Sequence, residues 1–273
     1  MKPTLVFSHA NGFPAGTYRL LFEAWREAGF EVLALDKFGH DPRYSVTSNW
    51  PHVRDELIHF VQREAPDRKV HLVGHSLGGY LSLLAACRKP EIAASVVLVD
   101  SPVLAGWRAH SVQMAKVTRV IGRVSPGRVS KTRRHRWDSR DAVYSHYAAK
   151  SIFARWDARV LQDYVASGIE ADPENGGVRL AFRRDVETRL YNTLPHHFGA
   201  LLKKHPPPCP VAFIGGTQSA EVRQVGLAAT RAVTRGRIEW LQGSHLFPME
   251  QPLATAQAVL RAIAAAKGQP QPR

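Results

Sequence analysis

One serine of the chain stands in a pattern that suits nucleophilic chemistry. Residues 74–79 read Gly-His-Ser-Leu-Gly-Gly, between an apolar run at 70–73 and an amphipathic run from 77 to about 88. The first and fifth residues of this segment are glycines, which leave room for a sharp turn from strand to helix that exposes the serine hydroxyl. Such a hydroxyl attacks a carbonyl carbon once a neighbouring base removes its proton. The pattern therefore predicts Ser76 as a nucleophile.

A nucleophilic serine needs a base, and histidine is the side chain that most often serves. A neutral imidazole takes the serine proton and later returns it to the leaving group. Of the thirteen histidines in the chain, His245 follows an apolar run at residues 238–241 and lies in the segment Gly-Ser-His-Leu-Phe-Pro-Met-Glu at 243–250. His245 is therefore a candidate base, and its position relative to Ser76 depends on the elements that carry both residues.

Strands and helices alternate along most of the chain. Short apolar runs predict six strands, at residues 4–8, 32–35, 70–73, 95–99, 211–214 and 238–241, and amphipathic runs predict helices at 18–28, 51–64, 77–88, 222–233 and 253–267. This alternation indicates an α/β fold with a mainly parallel six-stranded sheet and helices on both faces. A mostly helical segment interrupts it before the penultimate strand. We therefore expect a core of residues 1–102 and 209–273, and a helical basic cap of residues 103–208.

With its glycine-framed serine between strand and helix, the chain resembles the α/β-hydrolase family over nearly its whole length. The resemblance implies a triad in the order nucleophile, acid and histidine, and a cap inserted after the strand that here ends at Asp100. It also implies a histidine in the loop after the last strand, often in a G-x-H-x-x-P setting, which residues 243–248 match. By this match Ser76 is the nucleophile and His245 is the base.

The acid of the triad has two candidates. Most members of the family carry an Asp after the strand that corresponds to residues 211–214, but Ser219 stands at that position here. A serine cannot supply the negative charge that orients and stabilises an imidazolium. Asp100 ends the preceding strand, where some branches of the family place their acid, and Glu221 lies two residues beyond the usual position. We favour Asp100 from its placement and keep Glu221 as the alternative acid.

An oxyanion hole needs two donors aimed at the oxygen that becomes negative. One is expected to be the backbone N–H of Leu77, the residue after the nucleophile. The other is assigned to Asn11 by resemblance to the family's His-Gly-x segment after the first strand, with Ala10 replacing the glycine of that segment. The alternative interpretation is that Asn11 only shapes a turn.

The formal net charge of the chain is +14, and much of it lies in the expected cap. Nineteen Lys or Arg residues stand against nine Asp or Glu residues between Leu104 and His205. A basic surface attracts anionic partners, so an anionic or carrier-linked substrate is one hypothesis and a solvated surface is the other. Because no nucleic-acid-binding motif accompanies these basic residues, no nucleic-acid partner is expected.

Several kinds of site are not indicated by the sequence. The patterns G-x-x-x-x-G-K-[ST], H-E-x-x-H and paired C-x-x-C are absent, so no cofactor and no metal are expected. No apolar run approaches the roughly 20 residues of a transmembrane helix, and the first apolar run is too short for a signal peptide. These features favour a cytoplasmic location, while the oligomeric state is left open.

These features predict a cofactor-free serine hydrolase that cleaves a small-molecule carboxylic ester or thioester through an acyl-enzyme intermediate. A serine nucleophile argues against haloalkane dehalogenase or epoxide hydrolase chemistry, which uses an aspartate in this family. A C–C bond hydrolase and an acyltransferase are alternatives on the same fold. A third alternative is a non-catalytic binding protein, which the serine at position 219 favours.

Overall fold

The computed structural model describes residues 2–117, 121 and 126–267 of the chain. The strands are, in chain order, β1 (Thr4–Ser8), β2 (Glu31–Ala34), β3 (Val70–His75), β4 (Ala93–Val99), β5 (Arg136–Trp137), β6 (Ile169–Ala171), β7 (Val178–Leu180), β8 (Val211–Gly216) and β9 (Ile238–Leu241). Six of them form one sheet in the order β2-β1-β3-β4-β8-β9, and every neighbouring pair in it is parallel. The α/β fold with a parallel six-stranded sheet is confirmed.

The helices connect and cover these strands. They are α1 (Arg19–Glu27), α2 (Pro51–Glu64), α3 (Leu77–Arg88), α4 (Gly106–Val117), α5 (Gly127–Thr132), α6 (Arg140–Ala148), α7 (Ala158–Gly168), α8 (Arg184–Asn192), α9 (Phe198–Lys204), α10 (Ala220–Val225), α11 (Ala228–Thr234), α12 (Phe247–Glu250) and α13 (Pro252–Lys267). None of the helices within the described residues has the length and apolar content needed to cross a lipid bilayer.

The sheet is buried between two apolar layers. On one face α2 and α3 contribute Leu57 and Leu81 to a buried cluster. On the other face α1 and α13 contribute Trp25 and Val259 to a second cluster, and the Trp25 indole N–H donates to the Ala256 carbonyl at 3.1 Å. Because both faces are covered, the central strands are continuous runs of buried residues rather than alternating ones.

The helix expected at residues 222–233 is in fact two helices, α10 and α11. Gly226 lies between them with a φ of +75°. With its ψ of 175°, this is a conformation that is essentially confined to glycine and that interrupts a helix. The prediction of one helix was wrong because the apolar periodicity continues across the break.

Residues 103–208, called the insertion here, separate β4 from β8. They contain α4 to α9 and also a small antiparallel sheet in the order β5-β7-β6, which the expectation of a mostly helical segment missed. Its strands are two or three residues long, too short for a periodic pattern to register. Many of its arginines are ion-paired with carboxylates of the chain, in the pairs Arg133–Glu187, Arg136–Asp172, Arg155–Glu250, Arg159–Asp157, Arg179–Glu170 and Arg183–Asp185.

Candidate active site

Ser76 occupies the sharp turn between β3 and α3. Its backbone has φ 53° and ψ −113°, a strained combination for a residue with a side chain. A Cβ added at Gly74 would lie 2.1 Å from the carbonyl carbon of Gly78, and one added at Gly78 would lie 1.9 Å from the Ser8 carbonyl oxygen. The turn can be this tight only because both positions are glycine. This explains why the sequence has a glycine two residues before Ser76 and another two residues after it.

Asp100 and His245 meet at the carboxyl edge of the sheet. Nδ1 of His245 lies 2.7 Å from Oδ2 of Asp100, the residue directly after β4. The carboxylate is buried, and its other oxygen accepts a hydrogen bond of 2.7 Å from the Gly216 backbone N–H. Because a carboxylate oxygen can only accept, Nδ1 carries the hydrogen. In the neutral ring Nε2 then has a free lone pair and can act as a base.

Ser219, at the position where the family usually has its acid, binds the Asp100 carboxylate. Its hydroxyl donates to Oδ2 of Asp100 at 2.5 Å and accepts from the Val222 backbone N–H at 3.1 Å, so it caps α10 at the same time. Sequence reasoning identified the missing charge at this position but not the supporting hydrogen bond.

Glu221 lies close to this group, with its Oε2 3.4 Å from Oγ of Ser219. Its Oε2 is 3.8 Å from Nδ1 of His245, and its side chain is 47% exposed. At that distance the carboxylate contributes charge rather than a hydrogen bond to the imidazole. The geometry therefore favours Asp100 over Glu221 as the partner of His245.

The pKa of His245 is raised above its ordinary value. Burial acts in the opposite direction, but the hydrogen bond with Asp100, the charge of Asp100 and the charge of Glu221 together outweigh it. Both carboxylates stabilise the protonated imidazole. This is the form that a general base takes once it has accepted a proton from the nucleophile.

A buried chain of hydrogen bonds connects the loop after β1 to the backbone of His245. Nε2 of His75 lies 2.9 Å from the His245 carbonyl oxygen, so Nε2 carries the ring hydrogen. The pKa of His75 is well below its ordinary value because of burial and the charge of His245, so Nδ1 is bare and accepts from the Tyr18 hydroxyl at 2.8 Å. The Tyr18 oxygen accepts in turn from the Ala10 backbone N–H at 3.2 Å.

This series of hydrogen bonds was not predicted from the sequence. Its only signal in the sequence is the histidine directly before Ser76. The ring of His75 lies 5.1 Å from that of His245, centroid to centroid. The residue before the candidate nucleophile thus contacts the candidate base directly.

The two predicted oxyanion donors are Leu77, directly after Ser76, and Asn11, in the loop after β1. Leu77 begins α3, where the first backbone N–H groups have no acceptor within the helix. Asn11 lies in the loop after β1, and its side-chain Nδ2 donates to the Glu187 carbonyl at 3.0 Å. Its amide side chain therefore connects this loop to the insertion, a contact that the sequence did not suggest.

Asp100, Glu221 and His245 also have ligand atoms within 4.8 Å of one another, as a metal site would require. Of these atoms, Nδ1 of His245 and Oδ2 of Asp100 already share a hydrogen. A bound cation would have to displace it and separate the pair. The donor set therefore fits proton transfer better than metal binding.

Comparison with protein-family models identifies the family of the chain. The model of the alpha/beta hydrolase family matches residues 5–258. Monoglyceride lipase of Rattus norvegicus is 31% identical over 131 residues, which are 46% of this chain and 43% of the lipase. A probable esterase of Oryza sativa, PIR7A, is 29% identical over 119 residues, which are 42% of this chain and 45% of the esterase. The matched region thus spans less than half the length of these relatives.

Solved structures share the fold over almost the whole chain. E-2-(acetamidomethylene)succinate hydrolase superposes with a TM-score of 0.70 at 21% identity, covering 96% of this chain and 91% of the hydrolase. A thioesterase domain from the curacin biosynthetic pathway superposes with a TM-score of 0.68 at 19% identity, covering 95% of this chain and 91% of that domain. With the family model matching most of its length, the chain belongs to the alpha/beta hydrolase family.

Proposed function

We propose that the protein is a serine hydrolase that cleaves a carboxylic ester or thioester. The observation that carries the proposal is the hydrogen bond between His245 and Asp100 beside the strained turn at Ser76. The names of similar proteins, lipase, esterase and thioesterase, agree with acyl transfer to water. Nothing in the proposed chemistry requires a cofactor.

In the proposed mechanism, Oγ of Ser76 attacks the acyl carbonyl carbon while Nε2 of His245 takes the hydroxyl proton. Asp100 holds Nδ1–H and stabilises the imidazolium that forms. The carbonyl oxygen becomes negative and is stabilised by the backbone N–H groups of Leu77 and Asn11. His245 then protonates the departing alcohol or thiol, which leaves Ser76 acylated.

The second half of the reaction repeats these roles with water. His245 removes a proton from a water molecule, which attacks the acyl carbon of the Ser76 ester. The same donors stabilise the second negative oxygen, and the Ser76 hydroxyl leaves with the proton from His245. The products are a carboxylic acid and the free enzyme.

We also propose that the insertion acts as a cap over this site. Two contacts support it. The Asn11 side chain binds the Glu187 carbonyl, and the Arg155 guanidinium donates to Oε1 of Gln218 at 2.8 Å, in the loop after β8. Both contacts join the insertion to loops at the carboxyl edge of the sheet, where the candidate catalytic residues lie.

The test is a pre-steady-state comparison of an ester and a thioester that carry the same acyl group. Both should form the same acyl-enzyme, so an initial burst of alcohol or thiol is expected, followed by a common deacylation rate. Intact mass should show the acyl group on the wild type, and peptide mapping should place it on Ser76. The matched control is Ser76→Ala, which should neither burst nor acquire mass. Hydrolysis by wild type and Ser76→Ala at equal rates would overturn the proposal.

A further inference from the structure

A cavity of about 420 Å³ lies between the last helix of the insertion and the core. Its volume is within the range of small-molecule sites, about 300–1,000 Å³. Its walls come from α9, from α11 and from residues 209–211, where the chain returns to β8. Val211 begins β8, and Gly216, whose N–H binds Asp100, ends it, so about 16 Å of strand separates the two. None of the candidate catalytic residues lines this cavity.

The floor of the cavity is apolar. Leu202 of α9, Ala229 and Val233 of α11 and Val211 of β8 all line it. Cys209 lines it too, and burial raises the pKa of its thiol to about 11, so the sulfur is uncharged at neutral pH. An uncharged thiol behaves as a small apolar group. Among the described residues that line the cavity, none is acidic. The floor therefore suits an alkyl chain.

Three basic residues also line the cavity. Lys203 is in the last turn of α9, Arg235 directly follows α11, and Arg237 directly precedes β9. Lys203 and Arg235 are exposed and Arg237 is half-buried, so their charged groups lie at the opening and not on the floor. Within the part of the chain that the structure describes, neither Lys203 nor Arg235 forms an ion pair with a carboxylate. The positive charge at this opening is therefore available to an anion.

The cavity lies where the insertion leaves the core and where it returns. Ala105, near the start of the insertion, and Pro206, near its end, both line the cavity. The helix α11, which forms one wall, is bound to the start of the insertion, because Oγ1 of Thr230 accepts a hydrogen bond of 2.8 Å from the Val103 N–H. A ligand in the cavity would therefore contact both ends of the insertion and a helix of the core.

We propose that this cavity is a binding site for a free alkyl carboxylic acid, separate from the candidate active site. The alkyl chain lies on the apolar floor, where its removal from water is favourable. The carboxylate lies at the opening, where Lys203 and Arg235 attract it. A neutral ligand of the same shape lacks this attraction, and an alkylammonium ion is repelled. The site goes beyond the proposed hydrolase function and does not depend on it.

The first test compares ligands of one shape and different charge on the wild-type protein, by calorimetric titration at low salt. We expect hexanoate to bind about fivefold more tightly than hexanamide, and hexylammonium to bind more weakly than either. From butanoate to octanoate the affinity should rise about two- to threefold for each added methylene. Salt should reduce the preference for hexanoate over hexanamide, because it screens exposed charges. Equal dissociation constants for hexanoate and hexanamide would overturn the proposal.

The second test locates the bound acid, since the candidate active site could also hold one. Lys203→Gln combined with Arg235→Gln removes both exposed cations of the opening and should weaken octanoate binding about fivefold. The matched control combines Lys204→Gln with Arg231→Gln. It removes the same charge from exposed neighbouring positions that do not line the cavity, so the affinity should stay unchanged. Equal affinities of the two double variants would place the acid elsewhere and contradict the proposal.

A third test fills the cavity. Ala232→Phe places a ring in it and should weaken octanoate binding at least about tenfold, whereas Ala228→Phe, at an exposed position of α11 outside the cavity, should not. Octanoate should also raise the melting temperature of the wild type, because it binds the folded state, and should raise that of Ala232→Phe much less. A melting temperature that rises with protein concentration and not with octanoate would indicate that a second copy of the chain covers the cavity. That result would overturn the proposal.

Discussion

The Ser219 hydroxyl donates a hydrogen bond of 2.5 Å to Oδ2 of Asp100, the same oxygen that faces Nδ1 of His245. Ser219 stands where the family usually places its acid, and Asp100 directly follows the neighbouring strand. The charge has therefore moved from the end of β8 to the end of β4, and the residue at the usual position supports it by a hydrogen bond. With Asp100 as the proposed acid, the serine at position 219 does not argue against a catalytic triad.

Replacing the two candidate acids should separate their roles. Asp100→Asn leaves the imidazole without a carboxylate on Nδ1 and favours the wrong tautomer, so we expect kcat/KM to fall by about three to four orders of magnitude. Glu221→Gln removes a charge that is partly exposed and 3.8 Å away, so a loss of less than about threefold is expected. Both losses are measured as kcat/KM for ester hydrolysis at a pH where the activity no longer rises with pH. A larger loss in Glu221→Gln would reverse the assignment of the acid.

Ser219 should matter for catalysis through its hydrogen bond to Asp100, in addition to capping α10. Ser219→Ala removes a hydrogen bond to a charged group, a contribution of roughly 1.5–3 kcal/mol, and should lower kcat by about tenfold. The informative variant combines Asp100→Asn with Ser219→Asp, which moves the carboxylate back to the end of β8. We expect this double variant to recover part of the activity lost in Asp100→Asn. Recovery would be absent if position 219 could not reach the imidazole.

The pH dependence of kcat/KM should report the base. His245 must be neutral to accept a proton, and its pKa is raised, so activity should rise with pH through a midpoint above the ordinary value of 6.5. Glu221→Gln removes one of the charges that stabilise the imidazolium, so the midpoint should move to lower pH. Rate profiles of the two proteins between pH 5 and 9 test this. A midpoint that stays fixed or rises in the variant would show that Glu221 does not act on His245.

Tyr18 and His75 should act as positioning residues for His245. Tyr18→Phe removes the hydroxyl that donates to His75 and accepts from Ala10, so we expect kcat to fall by about tenfold while KM changes little. His75→Gln keeps a donor for the His245 carbonyl and should retain more activity than His75→Leu. Melting temperatures of the variants provide the control. Equal activity in both His75 variants would mean that the chain of hydrogen bonds has only a structural role.

The sequence predicts best what depends on local chemistry. Ser76 was predicted because glycines at fixed spacing are needed for its turn, and His245 was predicted because the resemblance fixes its place after the last strand. The choice between Asp100 and Glu221 depended on distances across the sheet, since Val99 pairs with Ile214 in the register of β4 and β8. Neither segment has a sequence pattern that reveals this register. The sequence could therefore favour Asp100 only by its position at the end of a predicted strand.

Contacts between residues that are far apart in the sequence could not be predicted from it. Arg133 and Glu187 are separated by two helices, α6 and α7, and the small sheet, and nothing in either segment shows that they form a pair. The basic composition suggested an anionic substrate, but six arginines of the insertion form ion pairs with carboxylates of the same chain. Net charge describes the whole surface, whereas a binding site depends on which charges remain uncompensated.

The most direct measurement for the account as a whole is the rate at which a fluorophosphonate modifies Ser76. The reagent should add once to the wild-type protein, with the adduct mapped to Ser76, because the imidazole of His245 activates that hydroxyl. In His245→Gln the rate should fall by at least about a thousandfold at the same pH. An unmodified Ser76 in the folded wild type, or equal rates in the two proteins, would contradict a reaction that starts from this serine and this histidine.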